Sequence, residues 1–432
     1  MILIGILIFI LCILTIFMVS SAACAESSHS IFDSDMKTLL TVHKTYECLN
    51  VKPMGSKALY YGELLSTPEL RTSDTQISIR TLYFEGMPYH GKPTRVFAFI
   101  GLPKASQDKK VPGIVLIHGG GGTAFESWVR LWNARGYAAI AIDTCGCVPV
   151  GSYDNWQRHQ WAGPAGWGGF DQIDEPFQDQ WSYHGVSDVL LANSLLRSLP
   201  EVDSERVGIT GISWGGYLTC IAAGIDKRFR FAVSVYGCGF LGENSAWLDT
   251  FKGMGKEKAD KWLATWDPSV FLKSVKTPMM WITGTNDSSY PIDSQQKSYR
   301  LPSGPRTLCI RTDMKHGHGG LGENPKEIHA FADSFCFKGA PLAHITEQGV
   351  ESNHIWATFQ SKSKITSAVL NFSKDTCNWP ERKWESVQAV ISGNRIFANI
   401  PSGAKVCYFN LIDTRGVVVS TEYIDTLLGE EN

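Results

Sequence analysis

One serine of the chain lies in a sequence pattern typical of nucleophiles. Ser213 is flanked by Gly211 and Gly215, follows a short apolar run at residues 207–212, and precedes sequence with helical character. Gly-x-Ser-x-Gly between a strand and a helix predicts a turn so tight that small residues must flank the serine, whose oxygen rises clear of the sheet. The helix that begins there directs free N–H groups at the reacting centre. Because the motif is common by chance, the prediction of a nucleophile depends on its partners.

A nucleophilic serine of this kind needs an acid and a base that follow it in the chain. Asp287 directly follows a predicted strand at residues 279–283, so it is the predicted acid that orients the imidazole; the alternative is a carboxylate that caps a helix. Two histidines follow the last predicted strand. We predict His316 as the base because it is closer to the strand end, and His318 is the second choice or a neighbour of the base or substrate.

The negative oxygen that develops during attack by a serine needs preorganised donors. The backbone N–H of Trp214, the residue after the nucleophile, is one predicted donor. The other is expected from the glycine-rich loop at residues 118–122, which follows a predicted strand at residues 111–117; Gly120 is the first choice and Gly119 the second. A phosphate-binding role for these glycines is disfavoured because no Gly-Lys-Ser/Thr follows.

The spacing of apolar residues predicts how these segments are held. Short apolar runs alternate with helical patterns from residue 111 to residue 337, which indicates a mainly parallel α/β sheet, and two predicted antiparallel strands precede it at residues 77–84 and 96–102. Beyond about residue 340 the helical period disappears. Short strand-like runs from residue 354 to residue 423, separated by turn residues, predict a small β-sandwich.

The segment from residue 77 to residue 337 resembles the α/β-hydrolase superfamily, on the branch shared by acetyl xylan esterases, dienelactone hydrolases and the prolyl oligopeptidase catalytic domain. The resemblance lies in Gly-Ile-Ser-Trp-Gly-Gly-Tyr at residues 211–217, Gly-Thr-Asn-Asp at 284–287, and the approach to the serine at 202–211. It implies the α/β-hydrolase fold and a serine hydrolase that uses no cofactor. It does not extend to the C-terminal segment and does not define the substrate.

Four segments are expected along the chain. Residues 1–25 read as a signal peptide, because residues 2–19 are almost wholly apolar and a small-x-small cleavage pattern ends at Ala25. The expected location is therefore secreted or periplasmic. An uncleaved anchor or a lipid anchor is the alternative. A lead-in segment at 26–72, a catalytic domain at 73–339 and a β-sandwich domain at 340–432 would follow.

Composition excludes several classes of function. The formal net charge is −2, which argues against nucleic-acid binding and against a strongly basic membrane-binding surface. Any membrane contact is expected only through the anchor. The eleven cysteines are spread along the chain and do not describe a dense disulfide framework, and no cluster has the spacing of a metal site. We therefore expect neither a metal nor a cofactor.

A tryptophan-rich insertion lies between Cys147 and His184. Three of its residues, Trp161, Trp167 and Trp181, are candidates for a substrate wall on which sugar rings stack, and Trp247, Trp262 and Trp266 are candidates for an opposite wall. The alternative is a packed loop whose tryptophans bury one another.

These features predict an esterase that removes acyl groups from carbohydrate, with a small-molecule or glycan ester as its substrate. A peptidase of the prolyl oligopeptidase type is the first alternative, disfavoured because no blade-length repeat precedes the catalytic segment. A glycan-binding protein without activity on the same scaffold is the second alternative, disfavoured by the ordered serine, aspartate and histidine.

Overall fold

The computed structural model describes residues 30–47, 78–103, 109–312, 314–318 and 320–426. The predicted signal peptide at residues 1–25 and most of the predicted lead-in segment lie outside these residues. Within the described part of the chain, no helix combines the length and apolar character needed to cross a membrane.

The fold is built on a mixed sheet whose central strands are parallel. Strands β5, β4, β8, β9, β10 and β11 lie side by side in that order and all run parallel, and β3, β2 and β1 extend this sheet in antiparallel pairing at one edge. The interior strands are almost continuous apolar runs, as expected where helices cover both faces. The bounds are β1 (Thr45–Glu47), β2 (Ser78–Glu85), β3 (Arg95–Leu102), β4 (Val111–Ile117), β5 (Ala138–Ile142), β8 (Val202–Ile212), β9 (Ala232–Val235), β10 (Met279–Gly284) and β11 (Arg306–Arg311).

Helices connect these strands, and two of them contact or follow β8, the strand that leads to Ser213. The helix α3 packs on β8 and β4, and α4 begins directly after Ser213 at the end of β8. The prediction of an α/β-hydrolase with a mainly parallel sheet is confirmed. The bounds are α1 (Met36–Leu39), α2 (Glu126–Ala134), α3 (Trp181–Ser198), α4 (Trp214–Ile225), α5 (Leu241–Asn244), α6 (Leu248–Met254), α7 (Lys256–Trp266), α8 (Pro268–Leu272), α9 (Ile292–Tyr299), α10 (Gly320–Glu323) and α11 (Lys326–Cys336).

The C-terminal segment forms two antiparallel sheets, as the predicted β-sandwich requires. One sheet is not separate from the α/β part of the chain: β19 pairs with β11, so that β19, β18, β14 and β15 continue the central sheet. The other sheet has the order β12, β13, β17, β16. The bounds are β12 (His344–Glu351), β13 (His354–Gln360), β14 (Ile365–Ser373), β15 (Glu385–Gln388), β16 (Val390–Ser392), β17 (Arg395–Asn399), β18 (Val406–Asp413), β19 (Val418–Ser420) and β20 (Ile424–Asp425). The predicted domain limits stay predictions.

Three local features differ from the sequence-based expectations. Strand β12 was not expected, because its residues are largely polar and partly exposed and therefore lack an apolar alternation. The insertion after β5 contains a hairpin, β6 (Cys147–Ser152) paired with β7 (Asn155–Arg158). The insertion was expected to extend to His184, whereas α3 begins at Trp181 and contains His184.

Candidate active site

Ser213 lies on a strained turn between β8 and α4. Its backbone has φ 57° and ψ −117°, a conformation that L-residues rarely adopt and that costs of order 1–3 kcal/mol. A Cβ atom on Gly211 would overlap the carbonyl group of Gly215, and one on Gly215 would overlap the carbonyl oxygen of Ile117. The two glycines are therefore required by close backbone approach, and the turn holds the serine side chain at the carboxyl edge of the sheet.

His316 joins Ser213 to Asp287. Its Nε2 lies 2.8 Å from the Ser213 hydroxyl oxygen, and its Nδ1 lies 2.7 Å from Oδ2 of Asp287. With the proton on Nδ1 donated to the carboxylate, Nε2 is free to accept the serine proton. Three side chains from the ends of three different strands thus form one hydrogen-bonded chain.

Asp287 is held by the turn that follows β10. Its Oδ1 accepts hydrogen bonds from the backbone N–H groups of Ser289 and Tyr290, both at 2.8 Å, while Oδ2 faces His316. The side chain is buried, and the residue before helix α9 is Pro291. The carboxylate is therefore not the helix cap considered as the alternative, although one of its oxygens stabilises the turn before that helix.

His318 has different partners from His316. Its Nε2 accepts a hydrogen bond from the backbone N–H of Gly119 at 2.9 Å, and its Nδ1 lies 3.6 Å from Oε1 of Glu323. The ring also packs against Phe125, with 5.3 Å between ring centroids. Of the two histidines, the structure brings His316 to the Ser213 hydroxyl and His318 to the glycine-rich loop.

Gly120 and Trp214 lie beside each other above the serine. A Cβ atom on Gly120 would be 2.9 Å from Cδ1 of Trp214. Among the described residues neither the Gly120 N–H nor the Trp214 N–H has an acceptor, whereas the Gly119 N–H is occupied by His318. The geometry therefore favours Gly120 over Gly119 as the partner donor to Trp214, and it can stabilise a negative oxygen next to Ser213.

Comparison with known proteins supports the fold. The family model described as prolyl oligopeptidase family matches residues 171–340, and the model described as acetyl xylan esterase matches residues 61–245. These two matches, each over less than half of the chain, support the α/β-hydrolase superfamily and its acetyl xylan esterase and prolyl oligopeptidase-like branch. The same matches support a serine hydrolase of this kind.

The proteins similar to this chain include named peptidases and a named acetyl xylan esterase. An uncharacterized peptidase of Bacillus subtilis is 27% identical over 213 residues, which are 44% of this chain and 28% of that protein. A dipeptidyl-peptidase 5 of Porphyromonas gingivalis is 26% identical over 243 residues, 50% of this chain and 31% of that protein. The chain thus spans less than a third of the length of these relatives. The solved structure of an acetyl xylan esterase from Paenibacillus sp. R4 has a TM-score of 0.55 at 20% identity, covering 71% of this chain and 94% of that chain.

The three tryptophans that were predicted to form a substrate wall, Trp161, Trp167 and Trp181, have different surroundings. Trp167 is 39% exposed and lies against the loop, where a Cβ atom on Gly120 would be 3.1 Å from its ring. Trp181 is 1% exposed and donates from Nε1 to the Thr144 carbonyl oxygen. Trp161 packs against the Arg95 guanidinium, with 4.1 Å to the ring centroid.

The three tryptophans that were predicted to form the opposite wall also differ in burial. Trp262 and Trp266 are fully buried, so they cannot stack on a ligand at the surface. Trp247 is only partly buried and packs on Trp214 and on Tyr290, with ring centroids 4.8 and 4.9 Å apart. One tryptophan from each expected wall, Trp167 and Trp247, therefore lies next to the oxyanion side of Ser213.

Several neighbours of the site were missed by sequence reasoning. Tyr236 follows β9, packs its ring 4.6 Å from that of His316 and donates its hydroxyl to the Lys315 carbonyl oxygen at 3.0 Å. Burial raises the pKa of Tyr236, so its hydroxyl remains a donor. Its position after a parallel strand, at the same sheet edge as Ser213, was an available signal. Tyr153, which contacts the glycine-rich loop, carries no such signal because it lies in an inserted hairpin. Trp156, one of the tryptophans of the insertion, contacts the same loop.

Proposed function

We propose that this protein is a carboxylesterase that removes acyl groups, acetyl groups in particular, from carbohydrate. The observation that carries the proposal is the hydrogen-bonded chain from Ser213 through His316 to Asp287, close to the N–H groups of Gly120 and Trp214, which have no acceptor in the described part of the chain. A nucleophile, a base, an oriented carboxylate and two oxyanion donors are the parts that acyl transfer requires.

The proposed reaction has two halves. The Ser213 oxygen attacks the ester carbonyl while Nε2 of His316 takes its proton, and the tetrahedral oxyanion is bound by the N–H groups of Gly120 and Trp214. The alcohol then leaves with the proton from His316. Water, deprotonated by the same nitrogen, hydrolyses the acyl-enzyme and restores the serine. Asp287 stabilises the imidazolium in both halves.

An ester of a carbohydrate is supported by the surface near the serine. The acetyl xylan esterase model covers the Ser213 turn, and the aromatic side chains of Trp167 and Trp247 border the oxyanion side. Flat aromatic faces are a common means of binding sugar rings. Action on an extracellular glycan also agrees with the signal peptide expected at residues 1–25.

The test compares wild type and Ser213→Ala on acetylated xylo-oligosaccharides and p-nitrophenyl acetate. The variant is expected to lose about 10⁴-fold or more in kcat and to lose labelling by a fluorophosphonate probe. Ser204→Ala, at a partly exposed position near the start of β8, is the matched control and should keep both. Hydrolysis that survives unchanged in Ser213→Ala would refute the proposed mechanism.

A peptidase of the prolyl oligopeptidase type is the second candidate. It is supported by the match of that family's model to residues 171–340 and by the names of the relatives quoted above. The same reaction halves apply, with an amine as the leaving group. Prolyl and dipeptidyl p-nitroanilides decide between the two: cleavage of these amides with no cleavage of acetylated sugars would replace the esterase by the peptidase.

A further inference from the structure

The β6–β7 hairpin contacts the glycine-rich loop at two successive carbonyl groups. The Tyr153 hydroxyl donates to the carbonyl oxygen of Gly120 at 2.7 Å, and the indole N–H of Trp156 donates to that of Gly121 at 2.8 Å. The backbone N–H of Asp154 also donates to Gly121, at 3.0 Å. Three donors of the hairpin therefore bind the loop through its backbone.

The preceding carbonyl group of the loop is held from inside the protein. Nδ1 of His118 lies 2.7 Å from the Gly119 carbonyl oxygen, and Nε2 accepts a hydrogen bond from the backbone N–H of Thr144 at 3.0 Å. The second contact assigns the proton to Nδ1, which donates to Gly119. Burial lowers the pKa of His118, which keeps the imidazole neutral and this pattern intact.

These bonds determine which way the amide groups of the loop point. In a planar trans peptide the C=O of one residue and the N–H of the next point in opposite directions. The Gly119 carbonyl is bound by His118, so the Gly120 N–H of the same peptide group points away from His118. The Gly120 and Gly121 carbonyls are bound by the hairpin, so the next two peptide groups are also restrained by hydrogen bonds.

The loop needs such external bonds because it has almost no side chains of its own. Four consecutive glycines have the largest backbone freedom of any sequence, and fixing each residue costs of order 1 kcal/mol or more. An oxyanion donor is effective only when it is oriented before the reaction. His118 binds the peptide group that carries the Gly120 N–H, and the hairpin binds the two peptide groups that follow it, so that Gly120 is held on both sides.

We propose that Tyr153 and Trp156 are positioning residues of the oxyanion hole, which act through the carbonyl groups of Gly120 and Gly121. The inference rests on the acyl transfer proposed at Ser213. The hairpin is then part of the catalytic apparatus and not only a boundary of the substrate cleft. Partial burial raises the pKa of Tyr153 to about 12, so the hydroxyl keeps the proton that it donates over the working pH range.

The experiment removes one donor at a time with Tyr153→Phe and Trp156→Phe and measures hydrolysis of p-nitrophenyl acetate. Each variant is expected to lower kcat about tenfold with KM changed less than about twofold, since the substrate ground state does not use the oxyanion hole. The double variant should lose less than the product of the two factors, because both residues hold one loop. Tyr46→Phe is the matched control: it also removes a hydroxyl donor with a 2.7 Å bond, to Glu85, on the far edge strand β1.

A second measurement separates positioning from a general loss of structure. An alkyl trifluoromethyl ketone adds to the serine and places an anionic oxygen in the oxyanion hole. Its Ki should rise in Tyr153→Phe and Trp156→Phe by the same factor by which kcat/KM falls, with Tm within a few degrees of wild type. Should Trp156→Phe fail to fold, Tyr153→Phe decides alone, because it removes a single oxygen atom.

The outcomes distinguish this inference from the function on which it rests. If Ser213→Ala is inactive while Tyr153→Phe and Trp156→Phe keep the kcat and the ketone Ki of wild type, the positioning role is overturned and the esterase stands. A rise in KM with kcat unchanged would also overturn it, in favour of a substrate-contacting role. If Ser213→Ala remains active, the proposed function fails first.

Discussion

The base side and the proposed oxyanion side of Ser213 use different kinds of chemical group. On the base side, the side chains of His316 and Asp287 would act directly, each through a charge or a proton. On the oxyanion side, the proposed donors are backbone N–H groups, and the side chains around them bind the loop without reaching the reacting atoms. The difference teaches that a substitution on the base side should remove a chemical group, whereas one on the oxyanion side should misplace a group that is still present.

The two histidines of the same loop give the largest expected contrast. His316→Ala should lower kcat about 10⁴-fold, because no other group accepts the serine proton. His318→Ala leaves the base in place and removes the acceptor for the Gly119 N–H together with the contacts of the ring with Phe125 and Glu323, so a loss of about tenfold to a hundredfold is expected. Steady-state kinetics on p-nitrophenyl acetate measures both. Equal losses would abolish the distinction between the two sides.

The carboxylate provides the next contrast. Asp287→Asn should lower kcat about 10³- to 10⁴-fold, since an amide at this position no longer stabilises the imidazolium. Asp293→Asn is the matched control, because this residue lies six positions further on at the start of α9 and bonds only its own helix and Asn244. A control that loses as much as Asp287→Asn would assign the effect to the helix and not to His316.

On the oxyanion side, Gly120→Ala tests the effect of displacing a donor. The added Cβ would lie 2.9 Å from Trp214 and 3.1 Å from Trp167, so the loop must shift by a few tenths of an ångström. We expect kcat to fall about 30-fold with little change in Tm. Gly253→Ala, in helix α6 with open space around it, should leave the rate unchanged and stabilise the protein by about 0.5–1 kcal/mol. An unchanged rate in Gly120→Ala would remove this residue from the oxyanion hole.

The smallest expected effect is a pH dependence that separates His118 from a structural histidine. Burial lowers the pKa of His118 and lowers that of His329 to about 3, so both are neutral when folded and accept protons on unfolding below about pH 6.5. The unfolded state then binds more protons, and stability is lost as pH falls below 6.5. For His329→Gln the loss between pH 7 and pH 5 should be smaller than in wild type by about 2 kcal/mol.

Urea unfolding at several pH values checks this dependence for both residues. His118→Gln should reduce the pH dependence in the same direction and should also lower kcat, because the Gly119 carbonyl loses its imidazole donor and keeps the Gly122 N–H. His329→Gln should leave kcat as in wild type, since this ring packs on Trp132 in the helical layer. If both variants kept full activity, His118 would be a structural residue like His329.

The residues with chemical side chains could be found from the sequence because of their order and position. Ser213, Asp287 and His316 each follow a short apolar run, and the carboxyl ends of parallel strands meet at one edge of a sheet. The choice between His316 and His318 was weak in the sequence, because both lie within three residues of each other. Only their hydrogen bonds, to Ser213 in one case and to Gly119 in the other, separated them.

The tryptophans show where sequence reasoning reached its limit. Five tryptophans of the two expected walls share one residue type but differ in their surroundings. The structure packs Trp161 against Arg95, leaves Trp167 beside Gly120, and buries Trp181, Trp262 and Trp266. Burial of a large side chain in an insertion depends on the path of that insertion over the sheet. No local pattern specifies that path.

The sequence by itself determined the alternation of strands and helices and the identity of the groups that could react, because apolar periodicity and a serine turn are local properties. Tertiary structure alone decided how the oxyanion loop is held. The carbonyl groups of Gly120 and Gly121 are bound by Tyr153 and Trp156, from a hairpin more than thirty residues further along the chain. A glycine loop carries no side-chain pattern of its own, so its bonding partners follow only from what the folded chain brings beside it.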